Sequence, residues 1–167
     1  YEQDARSTDW SGFDLRPLLR TAKEAGMRYA VLTARHCDGF SLYDTRGLSD
    51  YDVMHTPNGR DLVAEFVSLC REAGLVPFLY HAALDWREPS FEQNFAAYQK
   101  YLRASVELLC TRYGKLGGLW FDGVWSRPLA AWDLDALFGM VRRHQPEAVL
   151  INNTGLRAQG VAVHPEI

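Results

Sequence analysis

The chain has 167 residues, of which 47% are hydrophobic and 23% charged, and this composition indicates one globular domain with a real core rather than a disordered segment. The formal net charge is −3 and no cluster of Lys or Arg stands out, so nucleic acid and anionic membrane surfaces are not expected as partners. Three cysteines, Cys37, Cys70 and Cys110, lie far apart, which argues against a disulfide framework and against a Cys-based zinc site.

The two ends of the chain and its apolar runs bear on location. No apolar run approaches the roughly 20 residues of a membrane-spanning helix, and the N-terminus lacks the charged-then-apolar pattern of a signal peptide. The chain begins at Tyr1 without an initiator Met and stops at Ile167. We therefore expect that both ends are truncated, and cytoplasmic and secreted locations both stay open.

The first predicted helix-to-strand unit follows 13 polar, turn-rich residues. Asp14 is a suitable N-cap for a helix that Gly26 is placed to end. The expected buried face of this helix consists of Leu15, Leu18, Leu19 and Ala22. A nearly continuous apolar strand is predicted over residues 29–33. The residues that follow this strand are His36, Cys37 and Asp38.

A second unit repeats the pattern of the first. Asp61 is a good N-cap for a helix that ends near Gly74, and an apolar strand is predicted over residues 76–80. Polar and aromatic residues again come after the strand, namely His81, Asp85 and Trp86.

Two further units complete the chain. The longest helical pattern runs over residues 90–113 and leads to a short apolar strand over residues 119–121, which is followed by Asp122. A helix is predicted over residues 132–144, and a fourth strand over residues 148–151. Asn152 and Asn153 follow the fourth strand.

Asp122 is the residue that most needs an explanation. A carboxylate is costly to bury without a partner, so its place directly after a Leu-Trp-Phe run indicates a polar cavity at the end of the strand. The simpler alternative is that Asp122 and Gly123 only form a turn.

The order of the elements predicts an α/β fold. Apolar strands that alternate with amphipathic helices indicate a parallel sheet covered by helices, and right-handed crossovers place every segment that follows a strand at one rim. Four units are too few for a (β/α)8 barrel, so the alternatives are a doubly wound open sheet and about half of a barrel. The Gly-x-Gly-x-x-Gly and P-loop patterns of nucleotide-binding open sheets are absent.

The side chains expected at this rim suit a sugar. Aromatic faces cover the C–H side of a pyranose, while His, Asn and Asp bind its hydroxyl groups. Glycoside hydrolysis needs one carboxylate at the anomeric carbon and a second carboxyl group as proton donor. Asp122 is a strong candidate for the first carboxylate.

Taken in order, several segments of the chain resemble the α-L-fucosidases of glycoside hydrolase family 29. The matching segments are Ala25 to Phe40, Arg60 to Val63, Gly74-Leu75 with Tyr80, Asp85-Trp86, Leu119 to Gly123 and Ile151 to Asn153. Each segment is a weak signal alone, but the ordered set is fairly specific and covers nearly the whole chain.

The resemblance implies a retaining exo-glycosidase that hydrolyses terminal α-L-fucosides of oligosaccharides or glycoconjugates without a cofactor or a metal. It makes Asp122 the nucleophile and His36, Tyr80 and Trp120 sugar-binding residues. Cys37 and Trp86 are further candidates for substrate contact. The implied fold is an irregular (β/α)8 barrel, of which residues 1–167 form a single incomplete domain with roughly strands two to five.

The chain departs from the family pattern at three positions. Cys37 stands where the family usually has a second His, and Thr154 stands where many members have an Arg. Glu166 is the one carboxylate close to the C-terminal end, and it is our candidate for the acid/base.

The sequence also leaves two alternative functions open and predicts that the chain self-associates. The first alternative is a catalytically silent sugar-binding relative, and the second is a metal-dependent hydrolase that uses His36, Asp38 and His81. A half-barrel also leaves two open strand edges and an uncovered apolar interior, which favours self-association.

Overall fold

The computed structural model describes residues 2–57 and 59–153. Within these ranges the strands are β1 (Tyr29–Arg35), β2 (Val76–Ala82), β3 (Gly118–Asp122) and β4 (Val149–Asn152). The α-helices of the same ranges are α1 (Glu2–Ser7), α2 (Arg16–Glu24), α3 (Leu62–Glu72), α4 (Ser90–Gln93), α5 (Phe95–Arg112) and α6 (Leu134–His144). None of the helices in the described part of the chain is long and apolar enough to cross a membrane.

The four strands form one parallel sheet in the order β1-β2-β3-β4. Each strand therefore pairs with its neighbour in sequence, whereas a doubly wound sheet reverses its strand order at one point. The prediction of a partial (β/α)8 barrel is confirmed, and the alternative of a doubly wound sheet is wrong. All carboxyl ends of the strands lie at one rim.

The two faces of the sheet differ in their cover. Side chains that point toward the helices are buried, as are Leu79, Leu119 and Phe121, and the ring of Phe121 lies 5.5 Å from that of Phe138 in α6. The opposite face is apolar but open to solvent, and we call it the open face. Its exposed residues are Tyr29, Val31, Val76, Trp120, Val149 and Ile151. The predicted uncovered interior is thus present in this chain.

Of the two predicted N-caps, Asp61 is confirmed and Asp14 is wrong. The N-cap of α2 is Leu15 and has no side-chain cap, because the Asp14 carboxylate accepts from Arg16 N at 3.0 Å in a local turn before the helix. The Asp61 carboxylate accepts from Ala64 N at 2.8 Å at the start of α3.

The predicted helix over residues 90–113, however, is two helices. Asn94 leaves the helical conformation at φ −154°, and its side chain accepts from Ala97 N at 3.1 Å to cap α5. Asn competes well for such caps, which explains the break.

The N-terminal region differs from the sequence prediction at two points. The segment expected to be irregular contains α1, which is held by a hydrogen bond of 3.0 Å from Arg6 Nη1 to the Asp50 carbonyl oxygen. Leu15, which directly precedes α2, and Leu19 within it are buried, but Leu18 is 65% exposed. Leu18 was expected on the buried face, and it lies outside because Leu15, Leu19 and the partly buried Ala22 form the side that packs against the core.

Candidate active site

Asp122 is the last residue of β3, and its carboxylate is held by donors on both oxygens. The Tyr80 hydroxyl donates to Oδ2 at 2.7 Å. Oδ1 accepts from Gly123 N at 2.9 Å and from Trp125 Nε1 at 3.3 Å. Gly123 has φ +85°, and a Cβ there would lie 2.8 Å from Leu84 Cβ, so the turn that supplies this N–H requires glycine.

These donors favour the charged form of Asp122. Partial burial alone would raise its pKa, but the hydrogen bonds from Tyr80, Gly123 N, Trp125 and the Asn153 side chain outweigh burial and lower the pKa. The carboxylate is therefore ionised at neutral pH. Burial, and then the hydrogen bond to Asp122 and its charge, raise the pKa of Tyr80, so Tyr80 stays a phenol that donates.

Three aromatic side chains line the approach to Asp122. Tyr80 lies between His36 and Trp120, with ring centroids 5.7 Å from His36 in a stacked arrangement and 5.6 Å from Trp120 edge-on. Tyr80 and Trp120 are register partners on β2 and β3, so both side chains point to the same face of the sheet. The structure thus brings together His36, Tyr80, Trp120 and Asp122.

Cys37 lies behind His36. Its side chain is buried, and Sγ is 3.0 Å from His36 Nδ1. Burial, followed by the nearby charges of Asp38, Asp122 and Asp85, raises the pKa of the Cys37 thiol. The group therefore stays protonated at neutral pH and contacts the imidazole of His36. Direct contact with a substrate stays a prediction.

Trp86 stands on the loop after β2 and is 73% exposed. Its backbone N–H donates to the Cys37 carbonyl oxygen at 2.8 Å, which ties this loop to the loop after β1. The indole is available at the rim for a ligand, and its role in binding stays a prediction.

His81 is not at the rim, although the sequence placed it there. β2 extends two residues further than predicted, and side chains alternate between faces, so His81 points away from Tyr80 into the helix layer. There it is fully buried, with Nε2 2.8 Å from Ser105 Oγ. Burial and the charge of Arg35 lower the pKa of His81.

The position of His81 separates it from the other residues of the metal-hydrolase alternative. His36 faces the open side of the sheet, while His81 is enclosed on the other side. Among residues 2–57 and 59–153 no group of three His, Cys, Asp or Glu side chains is arranged to hold a metal ion.

From the sequence, Trp125 was expected at the rim, either lining the cleft or covering the helices, and Asn152 and Asn153 were treated alike. Trp125 lies in the 3-10 turn Val124–Ser126, three residues after Asp122, and that spacing is the signal that could have identified it. Of the two Asn residues, Asn153 bonds to Asp122. Asn152 is the register partner of Phe121, so its side chain points to the helix side, where its amide is buried, and not into the rim as predicted.

Glu166, the candidate acid/base, and Thr154, which follows Asn153, both lie outside the described residues.

Comparisons with known proteins agree on one family. The family model described as Alpha-L-fucosidase matches residues 1–164. The chain is 32% identical to Alpha-L-fucosidase 1 of Arabidopsis thaliana over 142 residues, which are 82% of this chain and 28% of that protein.

Two solved structures are also similar. One is Alpha-L-fucosidase isoenzyme 1 from Paenibacillus thiaminolyticus, with a TM-score of 0.81 and 32% identity over 90% of this chain and 40% of that one. The other is Alpha-L-fucosidase AlfC from Lactobacillus casei in complex with an α-L-fucose product, with a TM-score of 0.80 and 25% identity over 90% and 54% of the two chains. The chain thus spans 28% of the length of the plant relative and about half or less of each bacterial structure, and it belongs to the α-L-fucosidase family.

Proposed function

We propose that this chain supplies the nucleophile and part of the fucose-binding surface of a retaining α-L-fucosidase. The observation that carries the proposal is the Asp122 carboxylate, which is ionised, partly exposed and fixed by Tyr80, Gly123 and Trp125 at the carboxyl end of a barrel strand. A turn residue needs no such set of donors.

The proposed reaction has two steps. Asp122 attacks C1 of the fucosyl group, the bond from C1 to the leaving oxygen breaks, and a carboxylic acid protonates that oxygen. The same acid, now a carboxylate, then removes a proton from water as the water attacks C1 and releases Asp122. We propose Glu166 for this acid/base role.

The other residues bind the sugar in this proposal. His36 presents an imidazole to the sugar hydroxyls, while Trp120 and Tyr80 offer aromatic surface to its C–H face. The complex of the Lactobacillus casei relative with α-L-fucose supports this ligand. We propose terminal α-L-fucosides of oligosaccharides or glycoconjugates as substrates, with Trp86 and Cys37 as further binding residues.

We also propose that residues 1–167 form one incomplete catalytic domain. The apolar open face of the sheet and the partial coverage of relatives support this proposal. Activity is therefore to be measured in the full-length protein that contains these residues.

The test is the variant Asp122→Gly. Without the nucleophile, release of an aryl α-L-fucoside should fall by about a thousandfold or more. Added azide should restore part of the activity by entering the space of the carboxylate, and the product should be a fucosyl azide of inverted configuration. The matched control Asp14→Gly removes an exposed carboxylate at the start of α2 and should leave the rate unchanged. Full activity of Asp122→Gly would contradict the proposal.

Glu166→Ala tests the acid/base. Loss of the proton donor should slow a poor leaving group far more than a nitrophenol, and azide should yield a fucosyl azide of retained configuration. An equal loss of rate for both leaving groups would exclude Glu166 as the acid/base and would not affect the assignment of Asp122 as the nucleophile.

Cys37 favours a second candidate function, a sugar-binding relative without turnover, because a buried thiol stands where the family usually has a second His. Binding of L-fucose by calorimetry with no hydrolysis of any fucoside would support it over the enzyme.

A further inference from the structure

A β-bulge at the end of β1 decides where His36 points. Thr33 pairs with Tyr80, but the next pairing joins Arg35 to His81, so the register shifts between Thr33 and Arg35. Through Thr33 the strand alternates, and Tyr29, Val31 and Thr33 are exposed on the open face. A bulge breaks this alternation and turns the following side chains to the other face.

The consequence appears in the next three side chains, Ala34, Arg35 and His36. Ala34 and Arg35 are both buried on the helix side. His36 is therefore exposed on the open face, where it stacks on Tyr80. Regular alternation would have put Arg35 in the sugar site and His36 among the helices.

The bulge forces a full charge into the helix layer. Arg35 is 1% exposed, and its Nη1 donates to the Tyr101 hydroxyl at 2.9 Å. Its counter-ion is Asp85, which is 2% exposed, with Oδ2 3.6 Å from the same nitrogen. An unpaired charge at this depth is strongly destabilising, so Arg35 depends on Asp85.

Asp85 also joins the loops after β1 and β2. Its Oδ1 accepts from the backbone N–H groups of Arg87 at 2.9 Å and Glu88 at 3.1 Å, which shapes the loop that carries Trp86. The same carboxylate lies against Gly39, where a Cβ would be 2.7 Å from Oδ1. The segments on either side of His36 therefore both contact Asp85, one through Arg35 and the other through Gly39.

The pair is poorly built for stability. Within the described part of the chain, Nε and Nη2 of Arg35 have no hydrogen-bond partner, and the ion pair is not a close one. Well-packed apolar residues often match or exceed a buried ion pair in stability. A role in holding one local conformation explains its presence better.

We propose that Arg35 and Asp85 are positioning residues that hold the bulge and thereby direct His36 to the sugar. The inference rests on the proposed function, because it assigns His36 to fucose binding. It predicts that the pair matters for fucose affinity more than for folding.

The test is the double variant Arg35→Met with Asp85→Asn, made in the full-length protein. It removes both charges together, and Asn keeps an acceptor for the backbone N–H groups of Arg87 and Glu88. We expect thermal unfolding close to that of the wild type. The Kd for L-fucose and the KM for an aryl fucoside should rise at least about tenfold, the equivalent of a lost hydrogen bond, with a smaller change in kcat.

Two further variants keep the test decisive. Arg35→Lys keeps a cation opposite Asp85 but lacks the planar fork, so it should fold and bind fucose with intermediate affinity. Val106→Ala removes core volume from α5 and should lower stability without changing the Kd. Wild-type affinity in both Arg35→Lys and the double variant would overturn the inference. If the double variant does not fold, wild-type affinity in Arg35→Lys alone would overturn it.

The outcome can be separated from that of the proposed function. If the wild-type protein binds L-fucose without hydrolysing a fucoside, the proposed enzyme is wrong, and the Kd values still test the pair. If the wild-type protein does not bind L-fucose, a crystal structure of the double variant provides the test. Loss of the stacking of His36 on Tyr80 would then support the positioning role, and an unchanged bulge and stack would overturn it.

Discussion

At the scale of single residues, the chemistry of the site depends on how Asp122 keeps its charge beside aromatic groups. The sequence identified Asp122, because a carboxylate after an apolar strand requires an explanation. It did not identify the donors, since contact between Tyr80 and Asp122 depends on the register of two strands 42 residues apart along the chain. Trp125 was expected at the rim, but its hydrogen bond to Asp122 depends on a 3-10 turn that the sequence did not predict.

Tyr80→Phe tests this arrangement. Removal of the hydroxyl takes away a donor that lowers the pKa of Asp122, so that pKa should rise. Because the ionised carboxylate is the reactive form, the acidic limb of the kcat/KM profile should move to higher pH. The maximal kcat/KM should fall by about tenfold or more, as expected for a lost hydrogen bond to a charged group.

A matched control is available in Tyr113, whose hydroxyl donates to Asp61 Oδ2 at the same distance of 2.7 Å but away from the site. Tyr113→Phe should reduce the free energy of unfolding and leave the pH profile unchanged. An acidic limb that does not move in Tyr80→Phe would show that the bond does not control Asp122.

At the scale of secondary-structure elements, the sequence predicted which elements exist better than where they change direction. The four strands and the cap at Asp61 follow from apolar runs and local polar residues. The break at Asn94 could not be predicted in this way, because the helical periodicity of the sequence continues across it. The bulge before Arg35 could not be predicted either, because it depends on how β1 pairs with β2. The wrong placement of His81 has a similar origin in the extra length of β2.

Gly118→Ala tests the packing of β3 against its neighbours. A Cβ at Gly118 would lie 2.3 Å from Phe78 Cε1 and 2.6 Å from the Val149 carbonyl oxygen, and a backbone atom cannot move aside cheaply. The free energy of unfolding in urea should fall by about 1–3 kcal/mol. The control Gly12→Ala meets nothing within 4 Å and should be nearly neutral. Equal stability of the two variants would contradict the close packing at β3.

At the scale of the whole molecule, residues 2–57 and 59–153 form a parallel sheet that their helices cover on one side. The apolar side chains of the open face are exposed, and among them Trp120 and its register partner Ile151 lie nearest the end of β3 that carries Asp122. Such an apolar surface in water favours contact with another apolar surface. The four repeated units left a doubly wound sheet and a partial barrel open, and the family resemblance favoured the barrel. The uncovered apolar interior then followed from a partial barrel, but which side chains face solvent depends on the register of the strands.

We therefore expect that the 167-residue chain self-associates. Its sedimentation coefficient should rise with concentration, and the double variant Val149→Lys with Ile151→Lys should reduce the effect by placing charge on the open face. Leu18→Lys is the control, because Leu18 is exposed on α2 and away from that face. A wild-type chain that stays monomeric at all concentrations would contradict the expectation.

The most direct measurement of the central claim is covalent trapping in the full-length protein. A 2-deoxy-2-fluoro-fucosyl fluoride has a good leaving group, and its fluorine at C2 slows hydrolysis of a glycosyl-enzyme, so the intermediate should accumulate. Mass spectrometry of the digested protein is predicted to place the fluorofucosyl group on Asp122, and Asp122→Gly should not be labelled. Labelling of a different carboxylate, or turnover with inversion and no adduct, would contradict the assignment of Asp122 as the nucleophile.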